Sequence, residues 1–185
     1  MGSNTSAFFV GVIVAVLSFI LNGILTHIVR GVRFRRKLCA DIALTVDGYS
    51  SHSPDLENLK EKASGEVSSV SFIWDNETQA VDDLAEKRQY LKALEFSQCA
   101  RFYDELSLIG EIRHEYNLAV RGAIIDPEKT ARYEVIVLAC IGDLQKQYKQ
   151  VIRRGCQCLL ELKKNHSFLE TDAARYQEML NQHAE

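Results

Sequence analysis

The stretch Ala7 to Val29, AFFVGVIVAVLSFILNGILTHIV, contains no Asp, Glu, Lys or Arg. As a helix rising about 1.5 Å per residue it reaches roughly 35 Å, enough to cross a bilayer core of about 30 Å with some tilt. The other readings of such a run are a buried core helix and a cleaved signal peptide. A core helix is rarely apolar for so long, and a signal peptide carries its positive charge ahead of the apolar run. Here the preceding residues, MGSNTS, are uncharged, and the basic cluster follows. The segment reads as a permanent transmembrane helix over 7–29, behind an extracytoplasmic tail over 1–6.

Arg30, Arg33, Arg35, Arg36 and Lys37 crowd the end of the apolar run. Basic residues beside a span stay on the cytoplasmic side. This places the N-terminus outside and residues 30–185 in the cytoplasm. The same cluster is expected at the lipid headgroups, where it attracts anionic lipid. Within the span, Gly11, Ala15, Ser18, Asn22 and Thr26 recur every three or four residues, and Arg30 continues the series. Helical periodicity stacks them into one stripe of small or polar side chains. Small residues let helices approach closely, Ser, Thr and Asn can bond across the interface, and lipid tails offer Asn22 no partner. The stripe is expected to be a self-association seam or a pore wall. The alternative has Ser18 and Thr26 bonding their own backbone.

The net charge of −3 conceals an asymmetry: residues 38–185 hold 17 of the 22 basic residues and all 25 acidic ones, for a net −8. An acidic domain under a basic collar argues against broad nucleic-acid binding. The five cysteines, Cys39, Cys99, Cys140, Cys156 and Cys158, are odd in number and form no CxxC. They fit reduced thiols in a helical core, and Cys156 and Cys158 are spaced to point to different helix faces. Met1-Gly2 with Ser6 matches a myristoylation pattern, which an external N-terminus argues against.

The remainder reads as all-α: a basic juxtamembrane helix and turn over 30–52, then a helical domain over 53–185. Asp47-Gly48 is expected to break the first helix, and Ser53-Pro54 and Asp126-Pro127 to start new ones. Residues 64–69 read as a loop, and Phe72-Ile73-Trp74 as an apolar knot packed on the bundle. Leu84, Leu91, Leu94, Phe102, Leu106, Ile109, Ile112, Tyr116 and Val120 suggest a helix over about 76–122. Tyr133, Val137, Cys140, Leu144, Tyr148, Val151, Cys158 and Leu162 suggest another over 127–166. The short connection makes these two an antiparallel hairpin of the coiled-coil kind. Ser167 to Glu170 reads as a capping box opening a final helix through Met179.

No catalytic constellation emerges. Glu111-Ile112-Arg113-His114 is a single Glu-x-x-His, half of what a carboxylate-bridged di-iron bundle needs, and it falls with Glu115 off the apolar stripe. No His follows an Arg by the four to six residues of helical ribonucleases. Phosphate loops, nucleophile elbows and zinc signatures are absent from the sequence. No catalytic residue, cofactor or metal site is expected.

Glu115 to Glu128, EYNLAVRGAIIDPE, resembles a helix–turn–helix segment in a family of small bacterial membrane-anchored helical proteins of unknown function. The anchor-then-helices layout is similar to membrane effectors of phage-defence systems, including the accessory membrane protein of the type VI-B CRISPR system. The resemblance over Glu115 to Glu128 implies a bacterial inner membrane and no particular activity; the similarity to the effectors is one of layout only, since their Arg/His motif is not found in the sequence. The expectation is a non-enzymatic single-pass protein that forms a homo-oligomer through its span, in its strongest form a pore-forming or membrane-disrupting effector. The alternative is a membrane-anchored scaffold whose hairpin recruits a soluble partner.

Overall fold

A computed structural model describes residues 3–65, 67, 70, 71, 73 and 84–183, with residues 3–11 described by their backbone alone. Among the described residues every regular element is helical. They are α1 (Ser3–Gly65), a 3-10 turn (Arg88–Tyr90), α2 (Ala93–Ile125), a second 3-10 turn (Pro127–Lys129), α3 (Thr130–Asn165) and α4 (Ala173–Gln182).

α1 runs unbroken through Asp47-Gly48 and carries Pro54 in its interior, which corrects both the expected break and the expected new start. An interior Gly costs about 1 kcal/mol and an interior Pro about 3 kcal/mol. Packing on either side offsets them. Val46, Leu56 and Ala63 are buried, and the first two alone contribute about 1.5–3 kcal/mol each. Local bonds help: Thr45 Oγ1 donates to the Asp41 carbonyl at 2.8 Å, and Ser51 Oγ to the Gly48 carbonyl at 2.8 Å. Past the apolar run, Phe34, Leu38, Ile42 and Val46 recur every four residues and are buried, so α1 is a full member of the bundle as well as a candidate span.

The stripe from Leu84 to Val120 does not lie on one helix, and Asn76 falls outside the described residues. The helical turn at Leu84 gives way to Arg88–Tyr90. Leu91 and Lys92 are extended, and α2 begins at Ala93. The buried Glu95 carboxylate accepts the Lys92 N–H at 2.9 Å, satisfying a donor at the helix start. Cys99, Phe102, Leu106, Ile109, Tyr116 and Val120 are buried as the spacing predicts, whereas Leu94 is exposed. At the other end Asp126 joins α2 to α3, but its carboxylate pairs with Lys129 Nζ at 2.6 Å and caps no helix. Of the apolar knot, Phe72 and Trp74 lie outside the described residues. Ile73 is half-buried, with the Asn117 amide bonding both its N–H (3.0 Å) and its carbonyl (2.8 Å).

α3 is the central helix, packed along both α1 and α2 and covered at its end by α4. Val137, Ile141, Leu144, Val151, Ile152 and Leu159 are buried along it. At Gly155 the three long helices pinch together. A methyl there would drive into Val46 Cγ2 of α1 and stand 3.0 Å from Phe102 Cε2 of α2. The expected box at Ser167 to Glu170 is not what opens α4. That segment bends beneath Lys163, whose Nζ donates to the carbonyls of Ser167 and Leu169, and Asp172 caps α4 by accepting the Arg175 N–H at 3.1 Å.

Candidate membrane-facing site

The apolar part of α1 leaves the bundle bare. Every residue from Val12 to Arg30 is exposed, including Ala15, Ser18, Asn22, Thr26 and Arg30 of the stripe; the surroundings of Gly11 lie outside the described residues. Among the described residues, Ser18, Asn22 and Thr26 make no side-chain hydrogen bond. A Cβ built on Gly23 would meet nothing within 4 Å. Among the described residues, this one helix is long and apolar enough to cross a membrane.

The basic cluster divides. Arg30, Arg33, Arg36 and Lys37 are exposed, with Arg36 stacked over the Phe168 ring at 5.9 Å. Arg35 is half-buried and turned inward, where its charge acts on His166. A second basic segment, not anticipated from the sequence, reaches the same level of α1. The Tyr90 ring lies 5.0 Å from His27 and 6.0 Å from Phe34. Gly31 makes room for it, since a Cβ there would sit 3.1 Å from Tyr90 Cδ1. This seat carries Lys87, over Phe34 at 5.9 Å, Arg88, over Phe96 at 5.0 Å, and Lys92, whose Nζ bonds Asn165 Oδ1 at 2.7 Å. Nothing in the linear spacing of Arg88 or Lys92 links them to residue 30; the contacts of Tyr90 with His27 and Phe34 do.

Beneath this end lies a buried polar pair. Glu95 Oε1 is 3.0 Å from His166 Nε2, a close polar contact without hydrogen-bond alignment. Burial and the Arg35 charge pull the His166 imidazole below its ordinary value, against a partial opposing pull from Glu95. Cys99 and Cys158 are fully buried with their sulfurs 2.9 Å apart, both as free thiols. Burial pushes Cys39 up to about 12 and Cys140 and Cys156 up to about 11, so these groups stay protonated at neutral pH. Cys156 is turned toward Asp47 and Arg175 while Cys158 meets Cys99, which places the pair on different sides of α3. A cavity of about 310 Å³ is lined by Arg36, Cys39, Thr171, Asp172 and Tyr176 among others. The Cys39 thiol faces no imidazole in that lining.

Glu111, His114 and Glu115 are exposed on α2. Among the described residues no three His, Cys, Asp or Glu side chains gather into a metal-binding group. Glu115 to Glu128 forms the end of α2 and the turn into α3. Compared with known proteins, the chain matches no family model, no curated protein and no solved structure.

Proposed function

We propose that this chain is a non-enzymatic, single-pass protein of a bacterial inner membrane that self-assembles through its span, and that the assembly is a pore-forming or membrane-disrupting effector of the kind used in phage defence. The carrying observation is that the apolar part of α1 projects exposed while Ser18, Asn22 and Thr26 have no side-chain partner among the described residues. Hydrocarbon cannot satisfy those groups; a second copy or a wet lumen can. One interhelical hydrogen bond in a membrane averages only about 0.6 kcal/mol, so several such contacts repeated around a ring are required. In a ring, Arg30 would stand at the cytoplasmic mouth and disfavour cations.

Crosslinking and mass measurement in detergent, with ion flux in liposomes, test this on the wild type, Asn22→Leu and Ala15→Leu. Joint loss of higher oligomers and flux in the variants is the expected result. A wild type that stays monomeric at native membrane density rules out the assembly. The orientation, with the N-terminus outside, follows from the basic flank. A reporter fused after Glu185 that is active outside the cell would reverse it.

A second reading has its own support. Leu118, Ile124, Ile125 and Val135 are 50–70% exposed at and near the α2–α3 turn, at the end of the hairpin away from the span. That placement suits a scaffold recruiting a soluble partner. Monomeric protein that keeps its activity, and loses it when Ile125 and Val135 become Ser, would favour it.

A further inference from the structure

We propose that Arg88 and Lys92, carried to the membrane exit of α1 by the Tyr90 seat, complete a composite collar with Arg30, Arg33 and Arg36 that docks the bundle on anionic phospholipid headgroups. The inference rests on the membrane-spanning reading above and extends it from a linear basic run to a tertiary surface. Tyr90 fixes the level: its ring touches His27, inside the apolar run, and Phe34, one turn beyond Arg30. Tyr is a residue of the membrane–water interface, where its apolar body and polar tip are both accommodated. Arg36 stands about 10 Å along the helix from Val29. The headgroup layer is roughly 5–7 Å deep, and surface charge acts over a Debye length of about 8 Å, so the whole collar lies within its reach.

The partners of these cations leave their charge intact. Arg88 stacks on the Phe96 ring, Arg36 on Phe168, and Lys92 bonds the neutral Asn165 amide. Among the described carboxylates at this end, Glu95 is buried against His166, Glu161 accepts from the Asn165 amide at 2.9 Å, and Glu86 and Glu170 are exposed; the last three weaken the collar locally. Exposed Leu94, two residues past Lys92, offers an apolar side chain to the same interface. Charge complementarity to an anionic leaflet and continuity with the span thus point to one occupant, the lipid surface. The α1 cluster alone would serve as a topology signal; a collar closed by a second chain segment also sets how the bundle sits on the bilayer.

The test uses the full chain in vesicles of phosphatidylcholine with and without phosphatidylglycerol, reading the relative association of spin-labelled forms of the two lipids by electron paramagnetic resonance. The wild type should prefer phosphatidylglycerol. Arg88→Gln with Lys92→Gln should reduce that preference about fivefold or more, with insertion by flotation and helicity unchanged. Gln89→Glu, which removes no contact of the exposed Gln89, should weaken it as well. Lys146→Gln with Lys149→Gln, exposed on α3, should leave it intact. An unchanged preference in both the double variant and Gln89→Glu overturns the collar while the span stands. Failure of the wild type to enter vesicles overturns the span and the collar together.

Discussion

Gly155→Ala and Gly142→Ala make the same chemical change on the same helix with opposite expected signs. Both glycines are helical and neither has a positive φ, so each gains up to about 1 kcal/mol of helix propensity on acquiring a methyl. At Gly142 nothing stands within 4 Å of the new Cβ, and the gain is kept. At Gly155 the methyl meets Val46 Cγ2 closer than real Cβ contacts allow, with Phe102 Cε2 at 3.0 Å and Cδ2 at 3.4 Å. Val46 and Phe102 are fully buried, so neither can swing into solvent. Overpacking of this kind costs about 1–3 kcal/mol and outweighs propensity. The two variants should therefore separate by about 1–3 kcal/mol. At roughly 2–4 °C per kcal/mol for a chain of this size, that is several degrees in Tm, read by far-ultraviolet circular dichroism in detergent. Gly155→Ala as stable as Gly142→Ala would show that α1, α2 and α3 do not converge there.

Leu144→Asp should cost about 3 kcal/mol or more and melt the bundle, because an unpaired carboxylate would replace a fully buried side chain; unchanged melting would remove the core assignment. Arg113 bonds Tyr148 Oη at 3.1 Å and stacks on the Tyr49 and Tyr148 rings, so Arg113→Ala should lose about 1–2 kcal/mol in denaturant unfolding. Arg113→Lys should recover little of this, since an ammonium lacks the planar stack. The depressed His166 pKa means that the unfolded chain takes up the proton more readily. Its contribution to stability is full above the ordinary value of 6.5 and declines as pH falls from there toward the lower folded value. Melting from neutral pH down to pH ~5 should show a shallower decline in His166→Gln than in wild type; parallel curves would refute the linkage.

The sequence by itself determined the helical class, the apolar segment and most of the α2 and α3 core. Those signals are local: an uncharged run has one length, and Phe102, Leu106 and Ile109, or Val137, Leu144 and Val151, repeat at the helix period wherever the helix sits. The same period was legible in Phe34, Leu38, Ile42 and Val46, which mark α1 as a bundle helix, but Asp47-Gly48 and Pro54 are strong local breakers and obscured its continuation. Whether a breaker breaks is decided by burial on both sides of it, a long-range energy that no window of sequence contains. The burial of Glu95, the inward turn of Arg35 and the seating of Tyr90 beside His27 also belong to tertiary structure alone. Each joins residues distant along the chain. Only the packing of α1 and α2 against α3 fixes which charges face solvent and which meet each other.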